Sequence, residues 1–266
     1  MMLVITTLSV QAQNIFVSND TIITGYDSLM FVTSVSHLEE FVTRFNGDAY
    51  RADLNENMHN RKNGILLLFD SKQFKSRQDT TFIAAQAFCE KVTEDSIYLS
   101  MRQGDWYAEA TCQGTFAKKP VRFTIYLKMV PRIPYGYKWV ITGADGDVFR
   151  TSRHENLQEL FISPSNHDLR FMELARITEN KYEYIDEYTK DSYRADPLAI
   201  FLTLVRTGLL KIGNVSQLKY HYLDVSGYRF TVSHVNRASL NTGWLITELV
   251  PCDDFEKLII KNKTGI

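Results

Sequence analysis

The chain has 266 residues, 44% of them hydrophobic, which is enough for two ordinary domains or one large domain around a packed core. Its 30 basic and 31 acidic residues nearly cancel, and this balance argues against non-specific nucleic-acid binding, which requires a basic surface. No run of about 18 apolar residues occurs, so the sequence predicts no transmembrane segment.

The first 13 residues are similar to a processed secretion signal. Met1–Leu8 is largely apolar, and Val10-Gln11-Ala12 places short residues where a signal peptidase cleaves. The basic residues that usually precede the apolar segment are missing, so a misplaced gene start and a buried strand are the alternatives. We predict an exported protein, periplasmic or secreted, that begins near Gln13.

Two helices are predicted in the first half. Ser36 and Glu39 fit a capping box, in which a hydroxyl and a carboxylate each bond a backbone N–H at the helix start. One apolar stripe at helical spacing follows: Leu38, Phe41, Val42 and Phe45. Asp79 or Thr80 can cap a second helix that runs to Val92.

Alternation of apolar and polar residues predicts the strands of the first half. A long strand opens after Gly104, and two further strands, 121–129 and 137–142, form a hairpin. The residues between these two strands include turn formers: Pro131, Pro134 and Gly136.

The second half repeats this order of helices followed by strands. Residues 143–163 are the predicted junction, and a helix is expected over 165–178. Asp196-Pro197 is a strong helix start, and the apolar run 198–205 predicts a buried helix. Three strands and a C-terminal helix follow: 217–225, 228–236, 243–250 and the tail from 253.

Two short motifs occur twice. Arg122-Phe123-Thr124-Ile125 precedes Trp139-Val140-Ile141-Thr142, and Arg229-Phe230-Thr231-Val232 precedes Trp244-Leu245-Ile246-Thr247. The similar spacing predicts a duplicated hairpin, in which the two phenylalanines and the two tryptophans superpose and are buried. Chance similarity between short motifs is the alternative.

The sequence therefore predicts an α+β fold of two similar halves. They are 14–150 and 151–266, after a signal remnant at 1–13, and each packs helices on a curved antiparallel sheet. This layout resembles the nuclear-transport-factor-2-like, or cystatin-like cone, superfamily. The resemblance implies a sheet wrapped around a long helix, with an apolar pocket at the open end. That superfamily includes enzymes, binding domains and dimerisation modules, so the fold would not decide the function.

No metal or cofactor is predicted. The histidines stand in no metal-binding motif, and neither a Gly-rich phosphate loop nor a nucleophile motif occurs. Cys89 and Cys112 could pair in an exported protein and leave Cys252 free. Burial of all three thiols as small hydrophobic groups is the alternative that we favour.

His234 and Glu248 are predicted to be polar residues on the inward face of the second hairpin. A turn near residues 239–240 would place His234 across from Ile246 and Glu248 across from Val232. The two side chains would then lie diagonally, about 7–8 Å apart between backbones. With three residues of the adjoining strand they form a candidate ligand-binding site: Tyr220, His221 and Tyr222. The alternative is that both lie at strand ends in water.

Three functions fit these patterns. The first is an exported, non-catalytic binding module for an unknown small molecule or envelope protein, which we favour because of the duplication. The second is a small-molecule enzyme with His234 and Glu248 as acid and base. The third is a structural component of a cell-envelope assembly. A pocket with convergent polar groups would favour the enzyme, and a flat exposed aromatic patch would favour the other two.

Overall fold

The computed structural model describes residues 34–47, 57–134, 136–150, 185, 189–190, 194–238 and 240–266. Within them the fold is α+β and divides into two compact units. Unit 1 holds the described residues of Met1–Asp105 and His221–Asp253, and unit 2 those of Trp106–Tyr220 and Asp254–Ile266. These units do not coincide with the predicted halves, because each combines an early and a late stretch of the chain. The predicted signal remnant and the helix over 165–178 lie outside the described residues.

In chain order the described elements are β1 (Ser34–Val35), α1 (Leu38–Asn46), α2 (Asn57–Leu67), a 3-10 turn (Ser71–Gln73), α3 (Thr80–Glu94), β2 (Trp106–Phe116), β3 (Lys119–Pro131), β4 (Tyr137–Asp145), a second 3-10 turn (Asp147–Phe149), α4 (Pro197–Arg206), β5 (Leu210–Val225), β6 (Tyr228–Val235), β7 (Thr242–Pro251) and α5 (Asp254–Thr264). Strand β5 is divided between the two units. Unit 1 holds the last residues of β5, in the strand order β1-β7-β6-β5. Unit 2 holds the first residues of β5, in the order β5-β2-β3-β4. The pairs β2–β3, β3–β4 and β6–β7 are antiparallel, and β1 is parallel to β7.

Helix α1 forms where the sequence predicts, but its start differs in detail. His37 occupies the N-cap without a side-chain hydrogen bond. The N–H of Ser36 donates to Oε2 of Glu40 at 2.8 Å, so the predicted capping box with Glu39 is wrong by one residue. The helix ends at Gly47, whose φ of 76° is a left-handed conformation that glycine adopts without strain.

Aspartates begin two other helices, as predicted. Asp79 accepts a hydrogen bond from the N–H of Thr81 at 3.1 Å, and this bond holds the pKa of the Asp79 carboxyl below its usual range. Asp196 accepts hydrogen bonds from the N–H groups of Leu198 and Ala199 at 3.1 and 3.2 Å. Each carboxylate satisfies backbone donors that the first turn of a helix leaves unpaired.

The core of unit 1 is an aromatic cluster between helices and sheet. Phe41 and Phe45 from α1 and Phe88 from α3 face Tyr222 of β5 and Phe230 of β6. Phe230 stacks on Tyr222 with ring centroids 4.8 Å apart. All four residues of the predicted α1 stripe are buried, which confirms that interpretation.

The core of unit 2 is a smaller cluster between α4 and the sheet. Phe201 of α4 packs on Phe123 of β3 and on Phe149, with ring centroids 6.1 and 5.8 Å away. Phe201 is the buried residue of α4, whereas Leu202 and Val205 are 47% and 40% exposed. The prediction of a fully buried helix is therefore wrong, because α4 covers the sheet with one face only.

The two repeated hairpins share a β-bulge. One strand of a bulged pair carries an extra residue, which bends it and reverses the alternation of its side chains. The extra residue is Thr142 in the β3–β4 hairpin and Thr247 in the β6–β7 hairpin. Both are the final threonine of the repeated tryptophan motif.

The pairing and burial of the repeated residues differ between the two hairpins. Trp139 lies opposite Met129, six residues after Phe123, whereas Trp244 lies opposite His234, four residues after Phe230. The two phenylalanines are buried, as predicted, but Trp139 is 42% exposed. The prediction that all four residues are largely buried is wrong for Trp139. The prediction that both pairs superpose is also wrong, because the two-residue difference in pairing prevents the phenylalanines and the tryptophans from aligning at the same time.

All three cysteines are free thiols. Cys89 and Cys112 are buried, as favoured from the sequence, and burial raises the pKa of both thiols. Cys252 is partly exposed, so the favoured burial of all three thiols is wrong for Cys252. In the part of the chain that the structure describes, no helix combines the length and apolarity needed to cross a membrane.

Candidate functional site

The structure does not pair His234 with Glu248 as predicted. His234 lies opposite Trp244, and the two rings meet edge to face with centroids 5.3 Å apart. Glu248 lies opposite Thr231, three positions before His234 on β6. Residues three apart on a strand point to opposite faces, so the two side chains project from different sides of the sheet.

The bulge at Thr247 explains this difference. Simple alternation along β7 would place Glu248 on the same face as Trp244 and Ile246. The extra residue reverses the alternation, so Glu248 shares the opposite face with Thr231. A bulge leaves no periodic signal in the sequence, and the predicted diagonal contact depended on its absence.

Glu248 belongs instead to a hydrogen-bonded chain with His221. The Thr231 hydroxyl donates to Oε2 of Glu248 at 3.0 Å, and Nδ1 of His221 lies 3.1 Å from the same hydroxyl oxygen. Because the hydroxyl has one proton, which it gives to Glu248, Nδ1 of His221 must be the donor of the second bond. Nη1 of Arg229 lies 3.8 Å from the other carboxylate oxygen of Glu248.

This chain can fix a histidine tautomer, but its bridging residue is not positioned to react. Thr231 is only 3% exposed, whereas the side chain of Glu248 is 51% exposed. With Nδ1 protonated, the proton-accepting atom of neutral His221 is Nε2. Sequence reasoning selected both ends of the chain but missed Thr231, although this residue belongs to the repeated motif Arg229-Phe230-Thr231-Val232.

The two predicted tyrosines are core residues. Tyr222 is 3% exposed in unit 1 and stacks on Phe230. Tyr220 is 9% exposed in unit 2, where its ring centroid lies 6.2 Å from that of Trp106. Burial raises the pKa of the Tyr220 phenol. Ligand binding by these residues stays a prediction.

A different surface, missed from the sequence, is exposed on unit 2. We call it the β4 row: Tyr137, Trp139 and Ile141, which alternate on one face of β4 and are 41%, 42% and 40% exposed. On the neighbouring strand β3, Met129 lies opposite Trp139 and Leu127 lies opposite Ile141. Both of these apolar residues are half-buried. The alternation was evident in the sequence, but it was interpreted as a covered face.

Trp139 is held in a defined position within the row. Its ring meets that of Trp106 edge to face, with centroids 5.5 Å apart, and Trp106 is 4% exposed. β4 ends the strand order of unit 2, and within the described residues no further strand pairs with its outer edge. The row is therefore an apolar surface beside a sheet edge that no described strand covers, although the end of α5 contacts β4 at Thr142 and Gly143.

Charged residues join the end of α5 to the far end of β4. Nζ of Lys263 lies 3.2 Å from Oδ2 of Asp145, and Nη2 of Arg150 lies 3.1 Å from Oδ1. Burial acts to raise the pKa of Asp145, but the hydrogen bonds from Arg150 and Lys263 prevail and lower it. Burial raises the pKa of the neighbouring Tyr126 phenol, which Lys263 opposes. Lys263 thus connects α5 to β4 through Asp145.

No group of three or more metal-ligating side chains comes together among the described residues. Comparison with known proteins adds no assignment: no family model, curated protein or solved structure matches this chain.

Proposed function

We propose that this chain is an exported binding module without catalytic activity, and that it binds a partner protein through the β4 row. The observation that supports this proposal is the exposure of about two fifths of Tyr137, Trp139 and Ile141 on one strand face. A contiguous patch of large exposed apolar side chains marks an interaction site, whereas single exposed apolar residues are common on any protein surface. The edge-to-face contact of Trp139 with Trp106 limits the entropy that binding would cost.

An extended peptide suits this surface better than a sugar. A sugar stacks on flat rings, and only two members of the row are aromatic. The aliphatic Ile141 and its half-buried neighbours Leu127 and Met129 instead match the apolar side chains of a peptide. A peptide strand added along β4 would contribute main-chain hydrogen bonds, and its alternate side chains would contact the row.

The proposal is tested by replacing Ile141 with lysine. Phage-displayed linear peptides selected on the wild-type protein should alternate apolar and polar residues. Their affinity for Ile141→Lys should fall at least about tenfold, because an ammonium group would be buried without a partner in the complex. Ile83→Lys is the matched control, since Ile83 is 53% exposed on α3 in unit 1 and lies outside the row.

Binding is measured by biolayer interferometry after circular dichroism has shown that each variant is folded. Peptides that bind Ile141→Lys as tightly as the wild type would refute the role of the row. So would peptides that lose equal affinity for Ile83→Lys.

Export is the second part of the proposal, and it is motivated by the apolar start and Val10-Gln11-Ala12. Protein purified from the envelope or medium of its host should begin near Gln13, because a signal peptidase would remove the preceding residues. N-terminal sequencing of exported protein decides this point. An intact Met1 on that protein would refute cleavage.

We also propose a cystatin-like cone architecture with a duplicated hairpin. The packing of Phe41, Phe45 and Phe88 on the aromatic strand face of unit 1 supports the cone. The bulges at Thr142 and Thr247, which occupy the same motif position, support the duplication. In a crystal structure the two hairpins should superpose with these threonines aligned and with Phe230 on Ile125, two residues from the motif match at Phe123, and bulges at unrelated positions would contradict the duplication.

A further inference from the structure

A long stretch of unit 2 carries positive charge only. Residues 110–144, which cover most of β2, all of β3 and nearly all of β4, contain no acidic residue, although the whole chain has a net charge of −1. The basic residues of this stretch are Lys118, Lys119, Arg122, Lys128, Arg132 and Lys138. Residues 197–223, which include α4 and most of β5, also lack acidic residues and add Arg206, Lys211 and Lys219. A surface of one sign attracts ligands of the opposite sign.

An open groove of about 520 Å³ lies between the β2–β3 hairpin and β5, inside this positive region. Arg122 and Gln113 lie opposite each other on neighbouring strands, and so do Pro120 and Thr115. Asn214 of β5 completes the polar lining. Side chains that face one another across antiparallel strands share a face, so these groups can contact one ligand together.

Backbone rather than side chains forms part of the groove. A Cβ atom on Gly114 would lie 2.2 Å from the carbonyl oxygen of Lys211, and one on Gly213 would lie 3.1 Å from that of Gln113. The first distance is impossible for a real side chain, so β2 requires glycine at this approach, and the second is a tight contact. The two glycines therefore allow the backbones of β2 and β5 to approach closely at the groove.

The polar side chains that line the groove make no hydrogen bond or ion pair within the described residues. Arg122 is exposed and makes no ion pair or hydrogen bond there. The side chains of Gln113, Thr115 and Asn214 likewise make no hydrogen bond within the described residues. A guanidinium group beside two amides and a hydroxyl offers hydrogen-bond donors and acceptors to one ligand.

We propose that this groove binds an anionic saccharide, a sugar chain that carries carboxylate or sulfate groups. Arg122 binds the anionic group with two parallel N–H bonds, which the planar guanidinium allows. The amides of Gln113 and Asn214 bond the sugar hydroxyls, and Pro120 contacts the apolar face of the ring. This site lies on different residues from the β4 row and does not depend on the proposed function.

The test is calorimetric titration with defined oligosaccharides. Oligogalacturonate supplies carboxylates, a heparin-derived oligosaccharide supplies sulfates, and a maltooligosaccharide of equal length is the neutral probe. At least one charged probe should bind saturably, and Arg122→Gln should weaken it about tenfold or more, because a charge-assisted bidentate contact is lost. Asn214→Ala should weaken the same probe by a smaller factor.

Arg206→Gln is the matched control, since it removes the same charge from an exposed position on α4 outside the groove. Its affinity should stay within about twofold of the wild type. The proposal is overturned if neither charged probe binds up to about 10 mM, or if both arginine variants lose equal affinity. It is also overturned if the neutral probe or inorganic sulfate binds as tightly as the charged oligosaccharides.

Discussion

Replacing Asn241 by alanine should destabilise the protein strongly. Asn241 is 1% exposed, and its amide nitrogen donates to the carbonyl oxygens of Leu67 and Phe69 at 3.1 and 2.6 Å. Its amide oxygen accepts bonds from the N–H and hydroxyl of Ser71 and from Arg237. Alanine would leave several of these buried groups unpaired, at a cost of about 3 kcal/mol in the free energy of unfolding.

Urea unfolding followed by circular dichroism measures this loss. Asn262→Ala is the control, because Asn262 is exposed on α5 and its removal should change the free energy of unfolding by less than about 0.5 kcal/mol. A similar small change for Asn241→Ala would show that the network around this amide does not stabilise unit 1.

Replacing Phe230 by alanine should have the largest effect of all. Phe230 is 1% exposed, and its ring centroid lies within 4.8 to 6.4 Å of those of Phe41, Phe45, Phe88 and Tyr222. Rings from two helices and two strands meet there, so the cavity cannot close without moving several elements. The expected loss in the free energy of unfolding is about 3–5 kcal/mol.

Trp139→Ala provides the contrast, measured in the same urea experiment. Tryptophan is larger than phenylalanine, but 42% of Trp139 is already in water. We therefore expect a loss of about 1 kcal/mol, well below the value for a buried aromatic side chain. An equal loss for Trp139→Ala and Phe230→Ala would mean that the β4 row is covered in solution, which would also contradict the proposed function.

Local features of the fold were predictable because neighbouring residues determine them. The α1 stripe follows from helical spacing, and the starts of α3 and α4 follow from Asp79 and Asp196, which bond N–H groups two or three residues away. Strand positions follow from alternation in the same way. None of these signals requires knowledge of distant parts of the chain.

The exposure of a face was not predictable in the same way. The apolar residues of β4 alternate, and α4 is apolar on nearly every side, and both patterns are typical of buried elements. Whether Leu202 or Trp139 meets water depends on what packs beside it, which periodicity along one element does not encode. The same limit applies to Asn241, whose partners Leu67 and Ser71 lie 174 and 170 residues away in the chain.

The candidate site was only partly predictable for a related reason. Glu248 was selected as a polar residue on an inward strand face and His221 as a neighbour on the adjoining strand, and the structure connects them through Thr231. The predicted partner His234 was wrong because the bulge at Thr247 reverses the alternation of β7. A single inserted residue changes which side chains share a face.

Amide hydrogen exchange of the protein with a selected peptide tests the central claim most directly. If a peptide strand adds to β4 over the row, exchange at residues 137–141 should slow on binding, because the new main-chain bonds and the covered side chains exclude water. Exchange in α3, over Thr80–Glu94, should not change. Slowed exchange elsewhere in the chain, with residues 137–141 unaffected, would contradict the assignment of the β4 row as the binding surface.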